Sequence, residues 1–238
     1  MIIVEDASRL RCVTQTDHAQ LSAELLGLWT LNGLPKHPRR KDLLFAVREH
    51  DNGWREADAA PRVDPESGRP FDYRNLPSEF RLDLWKRGVE RLITSHPYAA
   101  LLIAAHCLNL HQSRRNEHGW QDFLSQTVVL QEELLESAGL SQEELEEDYA
   151  WMELADTISL VVCDAWNGRT EQHGSVFGSK DGALEIEPFS LAGTTSFKVA
   201  CRHVPMKPYS SDSAFAAALA EAKWEKLRLQ VRPQRPQC

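Results

Sequence analysis

Four stretches of the chain each set one or two metal-capable side chains on an otherwise apolar helical stripe. His18 shares its stripe with Leu21, Leu25 and Leu28. His50 follows Leu43, Ala46 and Val47 and is itself followed by Asp51. His106 lines up with Leu102, Ile103 and Leu110, and Asp156 with Met152, Leu160 and Cys163. Spacings of three, four and seven put each set on one side of a helix, the side that faces a core. Burying an unpaired carboxylate or an unsatisfied imidazole is costly. A divalent cation removes both costs, because it takes ionised Asp and neutral His as ligands. Mixed nitrogen and oxygen donors suit Mn, Fe, Co, Ni or Zn better than Ca. Taken singly, each residue is accounted for by a core hydrogen bond, and Asp156 by a pair with Arg48 or Arg169. Together, in the order His, His-Asp, His, Asp, they predict a site for one or two transition-metal ions ligated by His18, His50, Asp51, His106 and Asp156. A buried hydrogen-bond network of the same residues without an ion is the alternative.

The elements that must position these residues can be read in outline. Met1 to Val4 and Leu10 to Thr14 have the look of short strands. Thr16 and Asp17 offer capping chemistry for a helix to about Trp29. A second helix is expected from about Lys41 to His50, stopped by Gly53. Residues Arg55 to Pro77, with Pro61, Pro65, Gly68, Pro70 and Pro77, predict a long loop anchored by Trp54, Phe71 and Tyr73. Ser78 is expected to cap a helix from Glu79 to Ile93, and Pro97 to open an apolar one through Leu110. Further helices are predicted from Trp120 to Ser137 and, from a Ser141/Glu144 capping box, to about Trp166. Beyond Gly168 the alternation of Leu184 and Ile186, and of Phe197, Val199 and Cys201, predicts strands, with Asp181-Gly182 as a turn. A last helix is expected from Ser213 to about Leu229, before a frayed Pro/Gln/Arg tail.

Composition narrows the function classes. A net charge of -8 argues against a sequence-independent attraction to nucleic acid or to an anionic membrane surface. The longest apolar stretch, Ala99 to Ala105, is too short for a bilayer, and Met1 to Asp6, without a positive region or a long apolar run, is not expected to be a secretion signal. Cys12, Cys107, Cys163, Cys201 and Cys238 are odd in number and form no C-x-x-C, so reduced thiols in a cytoplasmic protein are expected. No G-x-S-x-G, G-x-x-x-x-G-K-[ST] or G-x-G-x-x-G string is present. The expected partner is a small-molecule substrate or ligand, with no nucleic acid and no membrane. An oligomer is compatible with the seven Trp.

The order His18, His50-Asp51, Asp156, with the string Glu49-His50-Asp51-Asn52-Gly53-Trp54, resembles the HD-domain superfamily of metal-dependent phosphohydrolases over about residues 15–166. The chain is also similar, over nearly its full length, to a bacterial family of unknown function. That likeness rests on Thr14-Gln15-Thr16-Asp17-His18-Ala19, the same His50-Asp51 string and His96-Pro97-Tyr98-Ala99-Ala100. The superfamily resemblance implies a mainly α fold: an HD-domain-like helical bundle over residues 1–168, with a small β-containing region formed by the N-terminal strands and the segment 169–238. It implies His106, or His96, as a further ligand, and a hydrolase acting on a small, in that superfamily phosphorylated, molecule. A non-catalytic metal- or small-ligand-binding helical protein is the other expectation. Many H-D-x-G enzymes carry a phosphate-contacting Lys where this chain has Trp54; Arg39, Arg40, Lys41, Arg114 and Arg115 are other sources of charge. In the catalytic reading Asp51 and Asp58 are the catalytic candidates. Trp54, Tyr73 and His96 are the substrate-binding ones, with the Arg55–Pro77 loop closing over the substrate and Asp64 as a further contact.

Overall fold

Ile2–Asp6 (β1) and Arg9–Val13 (β2) pair antiparallel, Ile2 opposite Val13. The computed structural model describes residues 1–31, 33–166, 168–180, 183–188, 191–192 and 195–233. In it this pair is one edge of a larger sheet. The other strands are Gly168–Gln172 (β3), Ser175–Lys180 (β4), Ala183–Glu187 (β5), Thr195–Pro205 (β6) and Trp224–Pro233 (β7). The order is β1-β2-β6-β7-β5-β4-β3, antiparallel throughout except for the parallel pairing of β5 with β7.

Among the described residues eight α-helices accompany the sheet: Gln15–Gly27 (α1), Arg40–Glu49 (α2), Arg55–Ala59 (α3), Ser78–Glu90 (α4), Pro97–His111 (α5), Trp120–Ala138 (α6), Gln142–Cys163 (α7) and Asp212–Glu221 (α8). α1 packs on α2 and α7, and α5 on α2, α4, α6 and α7. Every residue from Ala99 to Cys107 is buried, so α5 is the central helix, and its alanines let neighbours come close. Side chains alternate across a strand. Ile2 and Val13 therefore face the main core under α1, while Ile3, Leu10 and Val204 face a smaller one that holds Tyr209, Phe215 and Leu219.

The expected mainly α, HD-domain-like bundle is overturned by this sheet, a curled, mixed, seven-stranded structure rather than a small β appendage. The largest departure from the expected elements lies at the C-terminal end. The helix expected to reach Leu229 stops at Glu221, and Trp224–Pro233 forms β7, paired with both β6 and β5. Leu227, Leu229 and Val231 alternate with charged and polar neighbours, which is strand periodicity, but the Ala-rich run of α8 masks the switch. Ser78 does not cap α4 either: Pro77 is the N-cap residue and makes no side-chain bond there. The loop expected from Arg55 begins instead as α3. The Asp181-Gly182 turn and Cys238 lie outside the described residues. No helix among the described residues is long and apolar enough to cross a membrane.

Candidate metal centre

Each metal-capable side chain is delivered by a locally determined piece of structure. Thr14 Oγ1 accepts from Asp17 N and caps α1, placing His18 at the end of its first turn above the buried Leu21, Leu25 and Leu26. α2 ends at Glu49, and the chain passes through His50 and Asp51 into one 3-10 turn, Asn52–Trp54. That turn is fixed from behind. Asn52 Nδ2 donates to Glu49 O and Gly88 O, each at 2.9 Å, and Arg91 Nη1 donates to Asn52 O at 2.6 Å. Gly53 sits so close to α4 that a Cβ there would lie 2.1 Å from Leu84 O. Close backbone approach, rather than the expected role in ending α2, is what demands glycine here. α5 supplies His106, and α7, opened by the Ser141/Glu144 capping box, supplies Asp156.

These four regions converge. His18 Nε2 lies 2.8 Å from Asp156 Oδ1 and 4.0 Å from Asp51 Oδ2. His50 Nε2 lies 3.4 Å from Asp156 Oδ1 and 3.5 Å from Asp51 Oδ2, and His106 Nε2 3.7 Å from Asp156 Oδ2. All five residues are buried. Atoms bound to one ion at about 2.0–2.2 Å stand no more than about 4.4 Å apart. Each of these five contacts falls inside that limit, although the five ligand atoms do not form one mutually close set. The ligand atoms form two groups that share a residue, His18/His50/Asp51 and His50/His106/Asp156. Buried His and Asp that could hold a metal are thus present as expected.

Hydrogen bonds behind the rings decide which nitrogen faces the centre. His50 Nδ1 is 2.7 Å from Val47 O, and a carbonyl only accepts, so Nδ1 carries the hydrogen. His50 Nε2 is left buried with no hydrogen-bond partner, between two carboxylates. A bare lone pair facing carboxylate oxygens is repulsive; a proton or a cation must lie between them. Burial disfavours a charged His50 ring, but the carboxylates of Asp51 and Asp156 prevail and hold its pKa well above the usual value. Burial likewise opposes ionisation of Asp156 and Asp51. The hydrogen bond from His18 to Asp156, and the charge of His50 beside both carboxylates, win and keep both carboxyls below the usual range. The donor set therefore fits a divalent cation, which would replace the proton on His50.

The centre opens on a cavity of about 220 Å3. His18, Asp51, His106 and Asp156 line one side; Gln15, Trp54, Tyr73, Arg74, Arg81, Trp85 and His111 line the rest. Three larger clefts, about 670 Å3 beside β1, about 620 Å3 between α5, α6 and α7, and about 270 Å3 beside α3, include none of the five ligands. Of the expected substrate contacts, Trp54 and Tyr73 border the small cavity, with Tyr73 Oη donating to Asp164 at 2.8 Å. His96 is exposed and stacks on Phe45 at 4.1 Å, apart from the cluster. Asp58 lies behind it, accepting from Gln15 N at 2.7 Å and lying 2.5 Å from the Met1 amino nitrogen. Asp64 is exposed and closes its own turn onto Ser67. Arg39, Arg40 and Arg114 are engaged with Asp148, Gly27 O and Glu117.

Sequence reasoning missed Arg81, His111, Gln15 and Ser159. His111 follows Ala104 and Cys107 at spacings of seven and four and so stood within reach of the same helical reading. Its Nδ1 donates to Cys107 O at 3.0 Å, it stacks on Trp120, and burial lowers its pKa to about 4, so it is neutral at physiological pH. The four described cysteines are buried and free, and burial raises the Cys12 and Cys163 thiols to about 12, which makes them inert packing groups.

The chain belongs to the family described as Protein of unknown function (DUF3891), whose profile matches residues 1–206. Comparisons with curated proteins and with solved structures found no match. Membership of the HD-domain superfamily is overturned on two grounds. The matching family is one of unknown function and brings no HD-domain evidence, and a curled seven-stranded sheet is not part of a helical HD fold. A hydrolase therefore does not follow from ancestry; any activity must be argued from the centre itself.

Proposed function

We propose that the protein binds one divalent transition-metal ion between His18, His50, Asp51, His106 and Asp156 and acts on a small molecule held in the adjoining cavity. The observation that carries this reading is the orphaned Nε2 of His50, buried between two carboxylates with its other nitrogen committed to Val47 O. A count of one ion is favoured by the same atom. Both ligand groups need His50, and its single free lone pair serves one ion at a time. Three imidazoles and two carboxylates suit Mn, Fe, Co, Ni or Zn.

An ion there supplies Lewis acidity and activates water, which makes hydrolysis the chemistry the arrangement supports best. The chain's own groups supply the rest. Asp51, lining the cavity, is placed to accept a hydrogen bond from water there and orient it. Trp54 and Trp85 narrow the space and exclude bulk solvent. At about 220 Å3 the cavity is below the roughly 300–1,000 Å3 of pockets for drug-sized ligands, which selects for a small molecule over a polymer. Metal analysis of the purified protein, followed by assay of generic esters and phosphoesters with Mn, Fe, Co, Ni or Zn, tests both parts. Bound metal with turnover supports the full reading. Bound metal without turnover on any of them leaves a metal- or ligand-binding protein, and absence of metal affinity removes the proposal.

A further inference from the structure

Arg81 is a buried cation without a counter-ion. It projects from α4 at 9% exposure, with Nε donating to Leu76 O at 2.7 Å and Nη2 donating to Arg74 O. Both partners are neutral carbonyls. Among the described residues no carboxylate lies within 4.0 Å of its guanidinium, and nothing accepts from Nη1. Its neighbours differ: Arg74 is paired with Asp72 and Asp164, Arg91 with Glu56, and Arg114 with Glu117. Arginine does not escape burial by losing its proton. An unpaired buried charge is destabilising unless something completes it. Burial lowers the Arg81 pKa and Arg114 nearby adds repulsion; Asp72 and Glu117 oppose this, but only from beyond 4.0 Å, so no carboxylate pairs directly with this guanidinium among the described residues. Arg81 also lines the cavity onto which the metal ligands open.

We propose that the cavity takes a small molecule carrying an anionic group, a carboxylate or a phosphate, which sits on Arg81 while another polar group of the same molecule faces the His/Asp centre. This rests on reading that cluster as the metal centre of the same cavity. Gln15, 3% exposed, adds a second polar contact: its Oε1 is buried with no partner and suits a donor on the ligand. A guanidinium fork matches either anion in two parallel hydrogen bonds, so the shared chemistry is the oxyanion.

The test is titration of the metal-free and metal-loaded protein with inorganic phosphate and, separately, acetate, followed by calorimetry and thermal melting. At least one anion is expected to bind both forms and raise their melting temperatures, and the tighter of the two identifies the class. Arg81→Gln is expected to weaken that binding about tenfold to a hundredfold, and Arg81→Lys less. A folded Arg81→Gln protein with unchanged anion affinity overturns the proposal, as does a wild-type protein that binds neither anion. Where both variants fail to fold, the wild-type Arg81 side-chain N–H signals decide: they shift on anion addition, or the proposal falls. Metal content is measured in parallel. Anion binding through Arg81 without metal affinity sinks only the metal reading, and metal binding with anions indifferent to Arg81 sinks only this one.

Discussion

Ser159 Oγ lies 2.6 Å from His18 Nδ1, and the same hydroxyl lies 3.0 Å from the carbonyl of Asp156 one turn earlier on α7. With its hydrogen directed to that carbonyl, Ser159 accepts from His18 Nδ1. With Nδ1 so engaged, His18 presents Nε2 to the cluster, 2.8 Å from Asp156 Oδ1, where a proton or, in the loaded protein, a cation must lie between them. Outer partners of this kind set ring orientation and ligand basicity, and their loss typically costs about 10–100-fold in metal affinity. Ser159→Ala is therefore expected to keep its fold and to lose metal affinity in that range, read by competition with a chelator. Unchanged affinity would show that His18 is no ligand.

The cluster also predicts opposite pH trends with and without an ion. In the metal-free protein His50 has a pKa well above the usual 6.5. Its contribution to stability is fully present below the unfolded value and is lost as pH rises through the folded one. Asp156 and Asp51, both lowered from 3.8, contribute stability present above that value and lost as pH falls through their folded values. The metal-free protein is thus expected to be most stable between those two unfolded values and to weaken toward alkaline pH. Metal binding needs the neutral ring, so it strengthens in the same direction. Melting temperatures of the loaded and stripped protein should diverge as pH is raised past 6.5. Convergence would contradict a shared role for His50.

The centre was more legible in the sequence than the fold around it. His18, His50, Asp51, His106 and Asp156 stand out because ionisable groups on apolar stripes are costly and local spacing reveals the stripes. The sheet is built from distant pairings, such as β2 with β6 and β5 with β7, which no local pattern encodes. Trp224–Pro233 shows the difficulty, since a run of alanines just before it extends the helical pattern past its true end. Arg81 was invisible for another reason. An arginine on an amphipathic helix reads as solvent-facing, and only three-dimensional packing shows that this one is buried and unpaired.

Gly53 tests whether the His50–Asp51 turn depends on its seat against α4. An alanine Cβ would meet the backbone oxygen of Leu84, which cannot swing aside as a side chain can. Overpacking of this kind costs about 1–3 kcal/mol. Gly53→Ala should unfold at lower denaturant concentration by that amount and bind metal more weakly, because His50 and Asp51 move with the turn. A variant as stable as the parent would mean that α4 yields freely.

Asp58 separates support from chemistry. Its carboxylate holds Gln15 N at the start of α1 and has no contact with the five ligands. Asp58→Asn should lower stability while leaving one ion per chain. A loss of turnover at full metal content and unchanged melting temperature would instead return Asp58 to the catalytic candidates.

His106→Ala distinguishes one ion from two. Its Nε2 approaches only Asp156, at 3.7 Å, whereas His18 and His50 each face both carboxylates. Removing His106 therefore leaves two imidazoles and two carboxylates, enough for a four-coordinate site. Because His50 Nδ1 is committed to Val47 O, Nε2 alone is free, and a second ion would have no imidazole shared with the first. The parent protein should hold one ion per chain by elemental analysis, and His106→Ala should still hold one with lower affinity. A parent stoichiometry of two, falling to one in the variant, would mean that the two groups are separate sites and that His50 does not join them.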